Sequence, residues 1–484
     1  MVNLLVSNFL GKTPRWYKLT ILAFLIINPI VFFFVSPFWA GWLLLLQFIF
    51  TLAMATKCYP VPSGGLLALQ AVIIGLTSPE SVYKEALINF PVILLLIFMV
   101  AAIYYIKDII FLVFTKLFTV IRDKRLLSLV FCFICAILAA FLDALAIMAA
   151  IIAVCFNLLA MYNNVAAALS GTENGKAEME EFKGFLRNVI MHGAVGTVLG
   201  GNMTIVGVPH NLMIASKMGW SFSDFFQHCA AVSIPVIIAG LILCLILETV
   251  KFPGFGYKMP ESAYNVIVRE YKAKLARLSR QSLFSYILQG IVLILLFVSL
   301  ALHLAEVGLI GIALMVVVAA FGGLIKEHDF AEAFNNAMPF VLLILIFFAV
   351  LAVVEDQSLV TPLVQWVFTF GGKVQLLMLY FANGALSAVS DNVFIASVFI
   401  KEVEQLYLQG LFSNEWYSKL AVAVSIGTNV PAIATPNGHA ALLFLLTSSL
   451  APKIDLSYWQ MVKLTLPYTI AMTVTGGAAI YFFM

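Results

Sequence analysis

Charge is scarce in this chain. Asp, Glu, Lys and Arg make up 11% of its 484 residues, where soluble domains carry about 25%. That deficit excludes a soluble globular protein, and no nucleic-acid partner is expected. Ten-residue segments of alternating apolar and polar residues are missing too, which excludes a membrane β-barrel. So are the signatures of hydrolases and metalloenzymes. There is no His-Glu-x-x-His, no Gly-x-Ser-x-Gly and no His pair four residues apart in an apolar stretch, so the sequence predicts no enzyme, no transition-metal site and no cofactor. The six cysteines are scattered as Cys58, Cys132, Cys135, Cys155, Cys229 and Cys244. Cys132 and Cys135 have CxxC spacing but neither a βαβ context nor partner histidines, so packing is the expectation.

What is present is apolar: 63% of residues are hydrophobic. Runs of about 20 recur along the chain, each able to cross ~30 Å of hydrocarbon as a helix. The fold class is therefore an all-α polytopic membrane protein, with the lipid bilayer as its first partner. The segment near 19–35 follows Lys12, Arg15 and Lys18 but precedes no small-residue cleavage site, so it reads as a retained helix. Seven Lys/Arg lie between Lys251 and Arg280 against Glu261 and Glu270. By the positive-inside rule this loop and the N-terminus are cytoplasmic. Part of it, Val266–Leu278, fits an amphipathic surface helix.

The loop divides the chain into an N-terminal segment with the first helix (1–37), a first repeat (38–250), the basic linker (251–281) and a second repeat (282–484). Further spans are expected near 38–56, 64–78, 88–121 and 222–249, with a polar cytoplasmic loop at 163–187. In the second half they fall near 283–303, 306–325, 338–368 and 461–483. Each repeat is expected to hold about five crossings, one re-entrant hairpin (127–160, 375–408) and one broken helix. Five crossings per repeat make the two halves inverted and put the C-terminus on the periplasmic side.

Two aspartates stand alone in apolar surroundings at matching places, Asp143 and Asp391. An ionisable group at bilayer depth costs at least ~2.5–3.5 kcal/mol on insertion scales, so its presence points to an ion or proton pathway. After each comes a Gly- and Pro-rich interruption. Gly200-Gly201-Asn202-Met-Thr204-Ile-Val-Gly207-Val-Pro209-His-Asn211 aligns without a gap on Gly427-Thr428-Asn429-Val-Pro431-Ala-Ile-Ala-Thr435-Pro436-Asn-Gly438. Paired helix breaks are the best sequence pointer to a midplane site between repeats. A carboxylate there can carry a proton or ligate a small hard cation. Asn202, Asn429, Asn392, Ser390, Thr204 and Thr428 can add oxygen ligands, and His210 can titrate near neutrality as a pH sensor. Na+ is the only metal expected. Gln70 reads as a lone polar residue bonded to a neighbouring helix.

Several of these stretches resemble the NhaB family of bacterial sodium/proton antiporters: Asn8-Phe-Leu-Gly, Phe50 through Pro60, Ala140-Phe-Leu-Asp-Ala-Leu145, Ala301 through Gly311, Ser390-Asp-Asn-Val-Phe394, Ala434-Thr-Pro-Asn-Gly438 and Phe444 through Pro452. The resemblance runs over almost the whole length. It implies an electrogenic exchanger of the bacterial inner membrane that extrudes Na+ and Li+ against H+, supporting sodium tolerance and pH homeostasis. The wider ion-transporter superfamily implies two inverted repeats and a homodimer, and places the ion site at Asp143, Ser390-Asp391-Asn392 and the two breaks. A sodium-coupled dicarboxylate symporter on the same fold is the alternative. Two positions depart from the family, which usually has Glu where this chain has Val208 and Gln70. Asp143→Asn and Asp391→Asn are each expected to cut Na+-driven proton exchange in proteoliposomes to near background. Wild-type rates in either variant would remove the two-aspartate mechanism.

Overall fold

Apolar runs of this length must satisfy every backbone N–H and C=O internally, because hydrocarbon offers no partners. The computed structural model describes residues 8–55, 57–142, 144–166, 173–302, 304–390 and 392–484, and among them all regular structure is helical. The first part holds α1 (Arg15–Phe34), α2 (Pro37–Ala53), α3 (Pro60–Ile74), α4 (Pro79–Ile88), α5 (Phe90–Leu94), α6 (Val100–Tyr105) and α7 (Lys107–Val120). Next come α8 (Lys124–Ala139), α9 (Ala144–Ala166), α10 (Glu173–Gly201), α11 (Pro209–Met218) and α12 (Phe222–Val250). The surface helix is α13 (Glu261–Ala276). The second part holds α14 (Arg280–Ala301), α15 (Val307–Gly322), α16 (Glu327–Asp356), α17 (Thr361–Val367), α18 (Gly372–Ser387) and α19 (Asn392–Leu408). It ends with α20 (Asn414–Asn429), α21 (Ala440–Thr447) and α22 (Tyr458–Phe483).

Among the described residues, five helices are individually long and apolar enough to cross a membrane, or seven if the bent pairs at α4–α6 and α16–α17 each count as one span. The helices α2, α3 and α15 are apolar but shorter. Three expectations need correction. The span expected at 88–121 is not one helix: a π-helical turn at Leu95–Met99 interrupts it, and α7 starts afresh at Lys107. The polar loop expected at 163–187 is helical from Glu173 onward, because its Glu, Lys and Met residues are good helix formers that periodicity of apolar residues does not reveal. And the span expected at 338–368 is two helices, α16 and α17, bent by 65° at the break between Asp356 and Thr361. All six cysteines are buried and unpaired, as packing residues should be.

Amides tie the first three helices together. Asn28 and Gln47 exchange two hydrogen bonds of 2.8 Å. Asn28 also donates to Gln70 at 3.0 Å, and Gln70 donates to the Leu25 carbonyl. Gln70 therefore does bond to a neighbouring helix.

The interior depends on close backbone approach. The helix α8 lies along α10, and α18 along α20. A Cβ on Gly200 would sit 1.8 Å from the Ala136 carbonyl oxygen, and one on Gly427 would sit 2.9 Å from that of Tyr380. Only hydrogen fits at Gly200. Gly200→Ala is expected to lower the thermal stability of the detergent-solubilised protein by about 1–3 kcal/mol through overpacking. Gly371→Ala, where a Cβ meets nothing within 4 Å, is the control and should leave it unchanged.

Candidate functional site

Asp143 and Asp391 lie outside the described residues. Their neighbours Leu142, Ala144, Ser390 and Asn392 are all buried. The two broken segments are fully described, and they meet. The helix α10 stops at Gly201, the chain turns through Asn202–Gly207, and α11 restarts at Pro209 with Val208 extended before it. Likewise α20 stops at Asn429, a 3-10 turn covers Pro431–Ala434, and α21 restarts at Ala440. Proline at the restart of α11 suits a first turn whose N–H has no intrahelical acceptor.

At the crossing, Asn429 donates to the Asn202 side-chain oxygen at 2.9 Å and to the Val198 carbonyl at 3.2 Å. Asn202 itself donates to that same carbonyl at 3.1 Å. Both asparagines are buried, and among the described residues the Asn429 side-chain oxygen has no hydrogen-bond partner. The residues paired by sequence alignment are thus paired in space.

Each break is also tied to the tip of a hairpin. The Thr204 hydroxyl donates to the Ala140 carbonyl, and the Thr435 hydroxyl donates to the Ala388 carbonyl at 2.6 Å. Both acceptors lie three residues ahead of an aspartate. Thr428, expected as an oxygen ligand, donates to Val424 O at 2.7 Å and accepts from Asn383 at 2.6 Å. Its hydroxyl joins α20 to α18. The backbone freed by the first break is held by Asn211, whose amide donates to the carbonyls of Gly201 (2.7 Å) and Thr204 (2.8 Å). Ser425 donates back to the Asn211 oxygen at 3.0 Å, crossing to the second broken segment.

Thr435, Asn383 and Asn211 were not singled out by sequence. Thr435 escapes because the gapless alignment sets Thr204 against Pro431, four residues earlier: the two breaks use different turns to reach the same acceptor. His210 is buried, and among the described residues neither of its ring nitrogens nor the His439 Nε2 finds a hydrogen-bond partner. Val208 is buried beside the break, its Cγ1 3.2 Å from where a Cβ on Gly201 would lie.

Two further features lie apart from the crossing. A cavity of about 650 Å³ runs along α9 from Leu145 to Asn157, walled by Tyr59, Ala149, Ala153 and Phe444. At 1.5 Å per residue it spans about 18 Å of helix. At its rim the Tyr59 hydroxyl donates to the Pro339 carbonyl at 2.5 Å. Separately, Lys124 and Glu248 form a buried pair at 2.6 Å, and His192 joins Glu248 at 2.7 Å and Tyr468 at 2.8 Å. Lys124 stands in the basic run from Arg122 to Arg125, and nothing local in the sequence links it to Glu248. Only the fold shows them to be partners.

The family model described as bacterial Na+/H+ antiporter B (NhaB) matches residues 1–484. Among curated relatives, the Na+/H+ antiporter NhaB of Saccharophagus degradans is 50% identical over 497 residues, covering 100% of this chain and 99% of its own. That of Yersinia enterocolitica is 49% identical over 481 residues (97% and 92%). That of Shewanella denitrificans is 47% identical over 486 residues (98% and 92%).

The Asn202–Asn429 contact predicts a measurable coupling. Asn202→Ala and Asn429→Ala should each destabilise the protein, and the double variant should do so by less than their sum. Interhelical hydrogen bonds in membranes average about 0.6 kcal/mol and reach about 1.7. Thermal unfolding of the four proteins in detergent measures it, and strict additivity would mean that the contact carries no energy.

Proposed function

The chain belongs to the NhaB family of bacterial Na+/H+ antiporters, and from that premise we propose how it exchanges the two ions. Membership makes it a transporter of the inner membrane rather than an enzyme. The relatives' names give no support to the dicarboxylate-symporter alternative. The mechanism rests on Asp143 and Asp391, each shared between H+ and Na+ (or Li+). A carboxylate that binds one must release the other, so each ion empties the site for its competitor. If only the loaded protein reorients, coupling follows without further machinery. More protons than cations per cycle lets the membrane potential contribute about 2.3 kcal/mol per charge per 100 mV.

One observation carries this reading. The two broken segments cross through Asn202 and Asn429, and each is tied by a threonine hydroxyl to the carbonyl three residues before an aspartate. Asn202 and Asn429 meet at this crossing, and the reading adds Ser390, Asn392, Thr204 and Thr428 to them as the neutral oxygens of a cation site with the two acids. The helix ends left at the breaks add partial charges that favour ions. The matched roles of Ala140 and Ala388 support inverted repeats at 38–250 and 282–484, with 251–281 as the cytoplasmic linker.

With the basic linker inside, the N-terminus is cytoplasmic and the C-terminus periplasmic. The hairpin of α8 and α9 then enters from the cytoplasm. Tyr59, the later turns of α9 and the end of α21 fall in the cytoplasmic half, so the cavity beside Leu145 faces inward. On this reading the cavity corresponds to an inward-open state, and the working assembly proposed is a homodimer.

The test is Na+-dependent proton release from proteoliposomes holding an imposed pH gradient, scanned from about pH 6.5 to 9. Rapid dissipation by Na+ or Li+, but not by succinate, is expected. Silence with cations together with dicarboxylate uptake would overturn the reading. His210→Gln should move the pH midpoint if His210 is the sensor, and an unmoved midpoint would remove it from that role.

A further inference from the structure

The two hairpins differ at corresponding positions. Six and ten residues after Asp143 stand Ala149 and Ala153, both exposed and lining the cavity. Six and ten residues after Asp391 stand Ser397, which is buried, and Lys401, which is engaged. All of Asn392–Ile400 is buried. The next turn of α19 carries three charged side chains, and each holds a different neighbour. Lys401 pairs with Glu85 of α4 and, at 2.9 Å, with Glu355 at the end of α16. Glu402 accepts from Thr361 of α17 at 2.6 Å, and Glu404 pairs with Lys217 of α11. Glu85 is only 1% exposed, and among the described residues its second oxygen has no hydrogen-bond partner. Beside it, Asp356 accepts from Thr77 at 2.7 Å and from Ser81 at 3.2 Å, sealing the same end of α16 to α4.

We propose that the Lys401–Glu85–Glu355 cluster is the outer gate of the exchange cycle, closed here while the cavity along α9 is open. The inference rests on the alternating-access reading and orientation given above. Its logic is that of two related pathways, one lined and one shut. Where α9 offers alanines to a cavity, α19 offers a lysine to two carboxylates on the far side of the crossing. For the outer pathway to open along α19 as the inner one opens along α9, Lys401 must leave Glu85 and Glu355. Lys401 is a positioning residue: it holds a conformation and touches no transported ion. A half-buried cation paired with two carboxylates is suited to that task, because its release is all-or-none rather than gradual. Ions that bind the outward-open form better supply the differential affinity that breaks it.

Thiols introduced at matched positions read the gate directly. Ala149→Cys and Ser397→Cys are made separately and labelled with a membrane-impermeant maleimide, from the cytoplasmic side in inverted vesicles and from the outside in intact cells. The parent chain, whose six cysteines are buried, sets the background. With no other change, the Ala149→Cys protein should label from the cytoplasm and the Ser397→Cys protein should resist from outside. Adding Lys401→Ala or Glu85→Gln should raise outside labelling of Ser397→Cys by about tenfold and slow cytoplasmic labelling of Ala149→Cys. Glu85→Gln keeps the shape of the side chain and covers the case in which Lys401→Ala fails to insert. Exchanging the charges, Lys401→Glu with Glu85→Lys, should restore protection of the thiol in Ser397→Cys. Labelling of both positions unchanged in Lys401→Ala and Glu85→Gln would overturn the gate, as would a rise at both together, which signals general loosening. The antiport reading fails separately: it falls if Na+ drives no proton release in the parent, whatever the labelling shows.

Discussion

A helix interrupted inside a bilayer exposes backbone groups that hydrocarbon cannot satisfy, at several kcal/mol each. Everything central to this molecule follows from how that demand is met. Asn211 accounts for the carbonyls of Gly201 and Thr204, Asn202 and Asn429 share the carbonyl of Val198, and Ser233 donates to the carbonyl of Asn202 at 3.0 Å. These side chains come from both halves of the chain. Asn429 reaches from the second break to the Val198 carbonyl and the Asn202 side chain, so the contact that joins the two interruptions also helps to satisfy the first.

Glycine sets the distance at which this happens. The segments that end in the breaks lie against the first arm of each hairpin with backbone nearly touching backbone, at Gly200 beside Ala136 and Gly427 beside Tyr380. Bulkier residues there would separate Thr204 from Ala140 and Thr435 from Ala388. The short reach of a threonine hydroxyl then makes the tie between break and hairpin tip an all-or-nothing contact. The N-terminal helices solve a different problem with different means. Their amide cluster at Asn28, Gln47 and Gln70 is neutral, holding three helices together without adding a charge to the membrane interior.

Much of this was legible in the sequence because the bilayer imposes a simple code. Apolar runs located most helices to within a few residues, and Gly and Pro marked both breaks. The polar stretch from Glu173 defeated that code, since a helix projecting from the membrane has no apolar period to reveal it. The π-turn at Leu95–Met99 left no mark either: its residues are as apolar as those of any helix. Pairing was the least legible. Lys401 and Glu85 are 316 positions apart, and Tyr59 and Pro339 280, so nothing local connects them. The matched asparagines are the exception, and they were found because two similar segments align where an isolated contact leaves no such mark.

The walls of the cavity along α9 have a consequence for selectivity. One stretch is apolar, lined by Leu145, Ala149, Ala153 and Phe444, while Asp108, Asn157 and Lys107 stand elsewhere on the same lining. On the inward path proposed above, a hydrated cation would pass methyl groups on one side and could exchange water for carboxylate or amide oxygen only at Asp108 and Asn157. The loss of its shell, the step that separates a small alkali cation from a larger one, would then be divided between those two residues and the end of the path.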